Sequence, residues 1–370
     1  MTYIQNKLPE YPALSDMWDN IAADPRPIAV YGMGNGADKL FARLERYGRV
    51  PDAVFASDGF VRGHSFRGYK VISLSEVREK YDDFIILLSF ASNRAEVIEL
   101  IEEIDRTDTL FIPDMPVAGA DYFDKEFYNA HYSEICEAYD ALSDEQSKNV
   151  FASVIRYKLS GKLQDLFGCD STKSDIYSML KLQIHCAVDA GAYNGDTVKE
   201  LIDFRTDIHR IYAIEPDRRN YKKLVKFAEQ SFGSYEIIPI NAAVYSSDSE
   251  GYFSGSGNRN SSISSTVSYE SRVEEVSFVK IDSIAECSVD YIKYDVEGAE
   301  REALIGSYNT IEKYKPDLLV SAYHRSEDIF SLIRYIKENH SFYSLYMRRT
   351  VCLPAWEIAI IARNENDIEI

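Results

Sequence analysis

The sequence predicts two open α/β sheets joined by a helical segment, and three observations carry that prediction. Short apolar runs alternate with helix-like segments in two separate stretches, residues 25–115 and 183–370. Such alternation builds mostly parallel sheets with helices on both faces. Between them, residues 116–182 lose the strand signal and place apolar residues at helical spacing. Near the end, FYSLYMRR and EIAIIAR follow one another with no helix between them, which predicts an antiparallel final strand.

Composition supports a folded chain with more than one core. A length of 370 residues exceeds what a single core usually serves. Hydrophobic residues at 45% and charged residues at 27% are ordinary globular usage. A net charge of -19 repels phosphate backbones, so bulk nucleic acid is not an expected partner. The five cysteines include no C-x-x-C pair, which fits neither a disulfide framework nor a zinc cluster and predicts the reducing cytoplasm. No leader-like segment and no run of about 18 apolar residues is present, so no membrane span is expected.

The elements follow in order. Residues 1–24 form an N-terminal segment. IAVYGMGNGADKLFARL then reads as strand, glycine turn and helix, followed by DAVFASD, KVISLSEV and DFIILLSF, for three or four strands in a small domain. Its Gly32, Gly34 and Ala37 match G-x-G-x-x-A after a strand, with Gly36 in the same turn and Asp58 closing the second strand, a dinucleotide-type fingerprint. Three roles stay open for it: binding a nucleotide or nucleotide-sugar acceptor, binding a regulatory nucleotide, or dimerisation with the glycines making only a tight turn. In the connector, Ser143 and Gln146 suggest a capping box.

From Ile184 five strands alternate with helices. AVDAGAYNGDT places Asp189 at a strand end, with Gly191, Ala192, Tyr193, Gly195, Asp196 and Thr197 forming the turn and helix start. A carboxylate beside glycine amides suits an amino acid moiety, Asp189 facing its ammonium. Glu215, before Pro216, ends the next strand, where an acid accepts from both ribose hydroxyls. Asn241 and Ala242 follow the third strand, beside the expected base. The fourth strand ends in Asp295-Val296-Glu297-Gly298, the fifth in Tyr323-His324, and Glu357 opens the last. Gly/Ser-rich residues 254–268 read as a loop serving as surface insertion or lid.

These motifs, VDAGAYNGDT, IEPD, IKYDVEGAE, Tyr323-His324 and Trp356-Glu357, together resemble the FkbM-type methyltransferase family over residues 184–362. The resemblance implies a class I methyltransferase sheet, Rossmann-like and doubly wound, and S-adenosylmethionine as cofactor. It also implies methyl transfer to a hydroxyl of a sugar or related small molecule. On that reading His324 is the general base, Asp295 and Glu297 orient it or bind acceptor hydroxyls, and Glu357 is a further partner. No resident metal is expected; Asp295, Glu297 and His324 form the alternative ligand set for a divalent cation. Competing readings are a scaffold protein retaining the fold without turnover and a nicotinamide-dependent oxidoreductase, the latter lacking a recognisable Tyr/Lys pair.

Overall fold

The computed structural model describes residues 7–57, 61, 63–230, 235–254, 262–263 and 273–365. Its first sheet holds β1 (Ile28–Tyr31), β2 (Ala53–Phe55), β3 (Ser65–Phe66), β4 (Tyr69–Ile72), β5 (Ile85–Leu88) and β6 (Thr109–Phe111), in the order β3-β4-β2-β1-β5-β6. All pairs are parallel except β3 with β4. β1, β2 and β5 are buried along their whole length, as parallel strands covered on both faces must be. The three or four strands read from the sequence are thus six; β3 and β6 are two and three residues long, too short to leave a period. The chain steps outward from β1 to β2 and β4, then returns to the other side of β1 with β5. The order therefore reverses between β1 and β5, where open sheets leave a crevice.

The N-terminal segment also belongs to this core. Asp16 caps helix Met17–Ala23 through a capping box, and Met17, Trp18 and Ile21 are buried with the β1 and β5 side chains. In the connecting region the capping box expected at Ser143 does not form, and the helix is capped one residue on by Asp144 alone. Asp144 accepts from the Ser147 N–H, while Ser143 Oγ accepts from Leu345 N–H in the second sheet. The helix so started, Glu145–Ser160, buries residues on every side and touches both sheets. Tyr157 donates to the Ile112 carbonyl just past β6, and Ser147 Oγ accepts from Met347 N–H. A helix wedged in this way fixes how the two sheets face each other.

The second sheet contains β7 (Cys186–Ala190), β8 (Arg210–Ile214) and β9 (Glu236–Ile240). A small side sheet of β10 (Ala243–Val244), β11 (Ser249–Ser254), β12 (Ser262–Ile263) and β13 (Val273–Val279) follows. β14 (Tyr291–Tyr294), β15 (Asp317–Ser321), β16 (Ser344–Arg349) and β17 (Ile358–Arg363) complete the main sheet. Its order is β16-β17-β15-β14-β7-β8-β9, parallel except for β17, antiparallel to both neighbours. This is the doubly wound, class I methyltransferase-like order that the strand pattern predicted, with its reversal between β7 and β14. The side sheet, ordered β10-β13-β11-β12, was not foreseen; VEEVSFV lies in it as β13. Residues 255–261 and 264–268 of the predicted Gly/Ser-rich loop lie outside the described residues. Among the described residues no helix is long and apolar enough to cross a membrane.

Candidate active site

The two strand-order reversals face each other across one cavity of about 620 Å³. One wall carries Gly34, Asn35, Gly36, Lys39 and Ser89 from the first sheet; the other carries Gly191, Tyr193, Glu215, Lys293 and the acids beyond β14. Whether the two sheets share a cleft was open from the sequence, and the packing of Glu145–Ser160 decides it.

Gly191 occupies the tightest point. Its φ is +94°, and a Cβ there would meet the Asp295 carbonyl oxygen at 1.9 Å, so only glycine lets the ends of β7 and β14 approach. Its N–H and that of Ala192 both donate to the Ile214 carbonyl at 3.0 and 2.9 Å. Gly195, also at φ +94°, starts helix Asp196–Phe204 against the Phe227 ring. Tyr193, Asp196 and Thr197 border the cavity, whereas Ala192 is wholly buried and Gly195 packs behind it.

Glu215 is buried at the end of β8, its oxygens accepting Tyr193 N–H at 3.0 Å and Asp217 N–H at 2.9 Å. Burial pushes its carboxyl up to about 8, against the pull of those two amides. Pro216 lines the cavity beside it. Asn241 does not; its amide donates to the Glu215 and Pro216 carbonyls at 2.9 and 3.1 Å, and Ala242 takes the lining position. The expected place of Asn241 beside a base is thereby corrected to bracing the β8 end.

Asp189 differs from expectation as well. It is buried, accepts from Thr197 Oγ1 at 2.5 Å, and lies 3.5 Å from the Lys293 ammonium, its register partner on β14. Lys293 also lies 3.2 Å from Asp295 and, unlike Asp189, borders the cavity. The expectation that Asp189 faces a ligand ammonium gives way: a protein ammonium already occupies that place. Burial raises the Asp189 carboxyl and Lys293 opposes it. For Lys293 burial works against the charge, and Asp189 and Asp295 more than restore it, raising its pKa. Lys293 was missed in the sequence because a lysine within an apolar strand carries no pattern of its own; alternation with Asp189 across the sheet is a tertiary fact.

The third group gathers around His324, 1% exposed at the end of β15. Its Nε2 lies 3.6 Å from Asp295 and 3.7 Å from Glu297, and its Nδ1 lies 2.8 Å from Glu300. Burial works against its charge, but Glu300, then Glu297 and Asp295, outweigh it and push it up to about 10. Acids on both ring nitrogens favour the protonated imidazole, which argues against the general-base role expected of it. Asp295 is raised by burial but held down at about 2 by Lys293 and His324, while burial pushes Glu297 up to about 8. Glu297 and Glu357 both adopt left-handed backbone, φ +55° and +62°, and both line the cavity. Such conformations persist where the surroundings impose them. Tyr323 donates to Asp295 at 3.3 Å and stacks on Trp356.

The metal set suggested from sequence, Asp295 with Glu297 and His324, is not the one the fold converges. Ligand atoms of Glu300, His324 and Asp328 come within 4.8 Å of one another. Glu300, the third acid of YDVEGAE, went unassigned; its Oε1 also accepts Val296 and Gly298 N–H, so it ties the strand-end turn to His324.

On the opposite wall helix Asn35–Arg46 begins at Gly34 with no side-chain cap. Gly36 packs so closely on the Ser89 carbonyl that a Cβ would lie 1.9 Å from it. Gly32, at φ +113°, turns the chain without lining the cavity. Lys39 donates to the Pro116 carbonyl at 2.6 Å, and burial lowers its pKa. Asp58 lies outside the described residues.

Residues 189–344 match the family model described as the methyltransferase FkbM domain. The solved methyltransferase FkbM from Methylobacillus flagellatus KT is similar over 93% of this chain and 92% of its own, with 20% identity and a TM-score of 0.69, a likeness of fold. A putative rRNA-methylase from Clostridium thermocellum matches 51% of this chain and 92% of its own at 10% identity and TM-score 0.35. TrmK of M. capricolum, solved with S-adenosyl-homocysteine, matches 53% and 69% at 10% identity and TM-score 0.32. No curated protein matches the chain.

Proposed function

For this chain, which carries an FkbM methyltransferase domain, we propose S-adenosylmethionine-dependent O-methyl transfer to a hydroxyl of a sugar, glycan precursor or related small molecule. The observation that carries the cofactor assignment is the turn at Gly191, where β7 and β14 end close together and the backbone borders the cavity, with Glu215 and Lys293 on either side. Those residues fit the group. Glu215 would accept from the ribose hydroxyls, the Lys293 ammonium would hold the methionine carboxylate, and Ala242 would lie beside the base. S-adenosylmethionine supplies an already activated methyl group, so the protein has chiefly to place the acceptor oxygen and exclude water.

The acceptor side is an aromatic wall, Tyr323 stacked on Trp356, ringed by Asp295, Glu297 and Glu357. Carboxylates accept from hydroxyls while the rings cover an apolar face, a combination suited to a hydroxyl-rich ring. Glu297 is the proposed proton acceptor in place of His324, because its Oε2 is buried at the cavity edge with no hydrogen-bond partner. His324 positions it. Glu297→Gln should lower kcat about 10²- to 10³-fold with S-adenosylhomocysteine affinity unchanged. Single-turnover kinetics checks this, and undiminished turnover would rule Glu297 out as the proton acceptor. The cavity continues to the uncapped start of Asn35–Arg46, where helix N-terminal amides favour an anion. A phosphate- or nucleotide-linked acceptor is the form of substrate that uses both walls.

Calorimetric titration with S-adenosylhomocysteine, with NAD as control, tests the reading. Micromolar binding is expected, weakened about 10- to 100-fold or more in Glu215→Ala, since hydrogen bonds to a charged group contribute about 1.5–3 kcal/mol each. Wild-type protein that binds NAD and no homocysteine nucleoside would support the oxidoreductase alternative instead; binding without turnover on any acceptor would support the scaffold. Because burial holds Glu215 at about 8 and the ionised form accepts the ribose hydroxyls, affinity should rise between pH 6.5 and 8.5. Glu215→Gln should flatten that rise.

A further inference from the structure

We propose that Glu300, His324 and Asp328 hold a divalent transition-metal ion beneath the acidic edge of the cavity. The three come from separate elements: the first residue of helix Glu300–Ile305, the chain leaving β15, and the first turn of helix Asp328–Asn339. One ligand atom of each lies within 4.8 Å of the other two, and all three side chains are buried.

Burial of acids next to an imidazole is by itself compatible with shared protons; two observations point further. Glu300 Oε2 is shut off from water and has no hydrogen-bond partner, although Glu300 is 1% exposed and its other oxygen is well used. His324 Nδ1 lies 2.8 Å from Glu300 Oε1, yet out of line for a donated hydrogen. Two ligands at right angles on an ion, with bonds of about 2.1 Å, stand about 3 Å apart with no hydrogen between them. The contact has that character.

The charges agree. Asp295 and Glu297 face the other ring nitrogen, so four carboxylates surround one imidazole, and the neighbouring Lys293 is engaged by Asp189 and Asp295. An ion on Nδ1 would leave a neutral ring whose Nε2–H points at Asp295 and Glu297, the carboxylate–histidine–metal arrangement that fixes tautomer and orientation. Two carboxylates with an imidazole suit zinc, manganese or ferrous iron better than calcium. In this position the ion joins the turn 295–300 to the segment 324–328, and holds the acidic edge in shape without itself bordering the cavity.

Elemental analysis of protein purified without chelator and dialysed extensively provides the test, with Asp328→Asn and Glu300→Gln alongside. About one equivalent of metal per chain is expected in the wild type, and less than a tenth of that in either variant. Wild-type protein stripped with chelator should recover its melting temperature on addition of zinc or manganese, which keeps the test decisive if a variant does not fold. Metal-free wild type whose melting temperature ignores both ions overturns the proposal, as does metal retained equally by both variants. S-adenosylhomocysteine titration on the same samples separates this inference from the cofactor reading, since nucleoside binding by wild-type protein that neither carries nor takes up metal defeats only the metal site.

Discussion

Replacing Gly191 by alanine is expected to abolish measurable S-adenosylhomocysteine binding, an affinity loss of more than about 100-fold, because two costs add at one position. The backbone sits at φ +94°, where a side chain is strained by about 1–3 kcal/mol. The new Cβ would also lie 1.9 Å from the Asp295 carbonyl, so the ends of β7 and β14 must separate and carry Tyr193 and Asp295 with them. Gly48→Ala isolates the first cost: its φ is +67°, but nothing lies within 4 Å of its Cβ. Calorimetry should therefore show near-normal binding for Gly48→Ala, with a stability loss of about 1 kcal/mol in denaturation. If Gly191→Ala binds as the wild type does, the turn is not where the nucleoside's amino acid part lies.

Lys293→Met should cost about 3–5 kcal/mol of stability at pH 8, because it leaves buried carboxylates without their counter-charge. Asp189 is 3% exposed, and its other partner is a neutral hydroxyl, that of Thr197. The pH dependence has a definite sign. Burial already raises Asp189, and Lys293, followed by the Thr197 hydroxyl, opposes it, so without Lys293 the carboxyl rises further and the destabilisation shrinks as the pH falls and Asp189 takes up a proton. Lys293→Met with Asp189→Asn should be more stable than Lys293→Met alone, a coupling that a double-mutant cycle measures. Thermal melts across pH 5–8 check both. A variant within 1 kcal/mol of wild type at pH 8 would mean that Lys293 does not hold these acids together, and would remove it as the holder of a ligand carboxylate.

The sheet that carries the site was legible because its strands are apolar runs broken by glycine and acid at their ends. VDAGAYNG, IEP and YDVEG each mark the edge where a parallel strand hands over to a helix, and β7, β8 and β14 end there. Short or partly exposed strands were not legible. β3 and β6 hold too few residues to show a period, and in the side sheet β10 and β12 are two residues long while β13, VEEVSFV, does not alternate polar and apolar residues strictly. The cap at Asp144 rather than Ser143 shows the same limit locally: either residue can cap, and the choice was made by Leu345, which claims the serine hydroxyl from 202 positions away.

The sequence by itself determined which residues stand at strand ends, since period and turn chemistry are local properties. That sufficed for Gly191, Glu215, Asp295, Glu297, His324 and Glu357 as neighbours of one edge. Only the tertiary structure decided what each is for. Lys293 took the place beside Asp189, Asn241 turned to brace β8, and Glu300 claimed His324 from the side away from the cavity. The physical reason is that charge and hydrogen bonding act across a few ångströms between residues distant in the chain. A carboxylate's or imidazole's protonation, and with it its chemistry, is set by partners that the fold supplies.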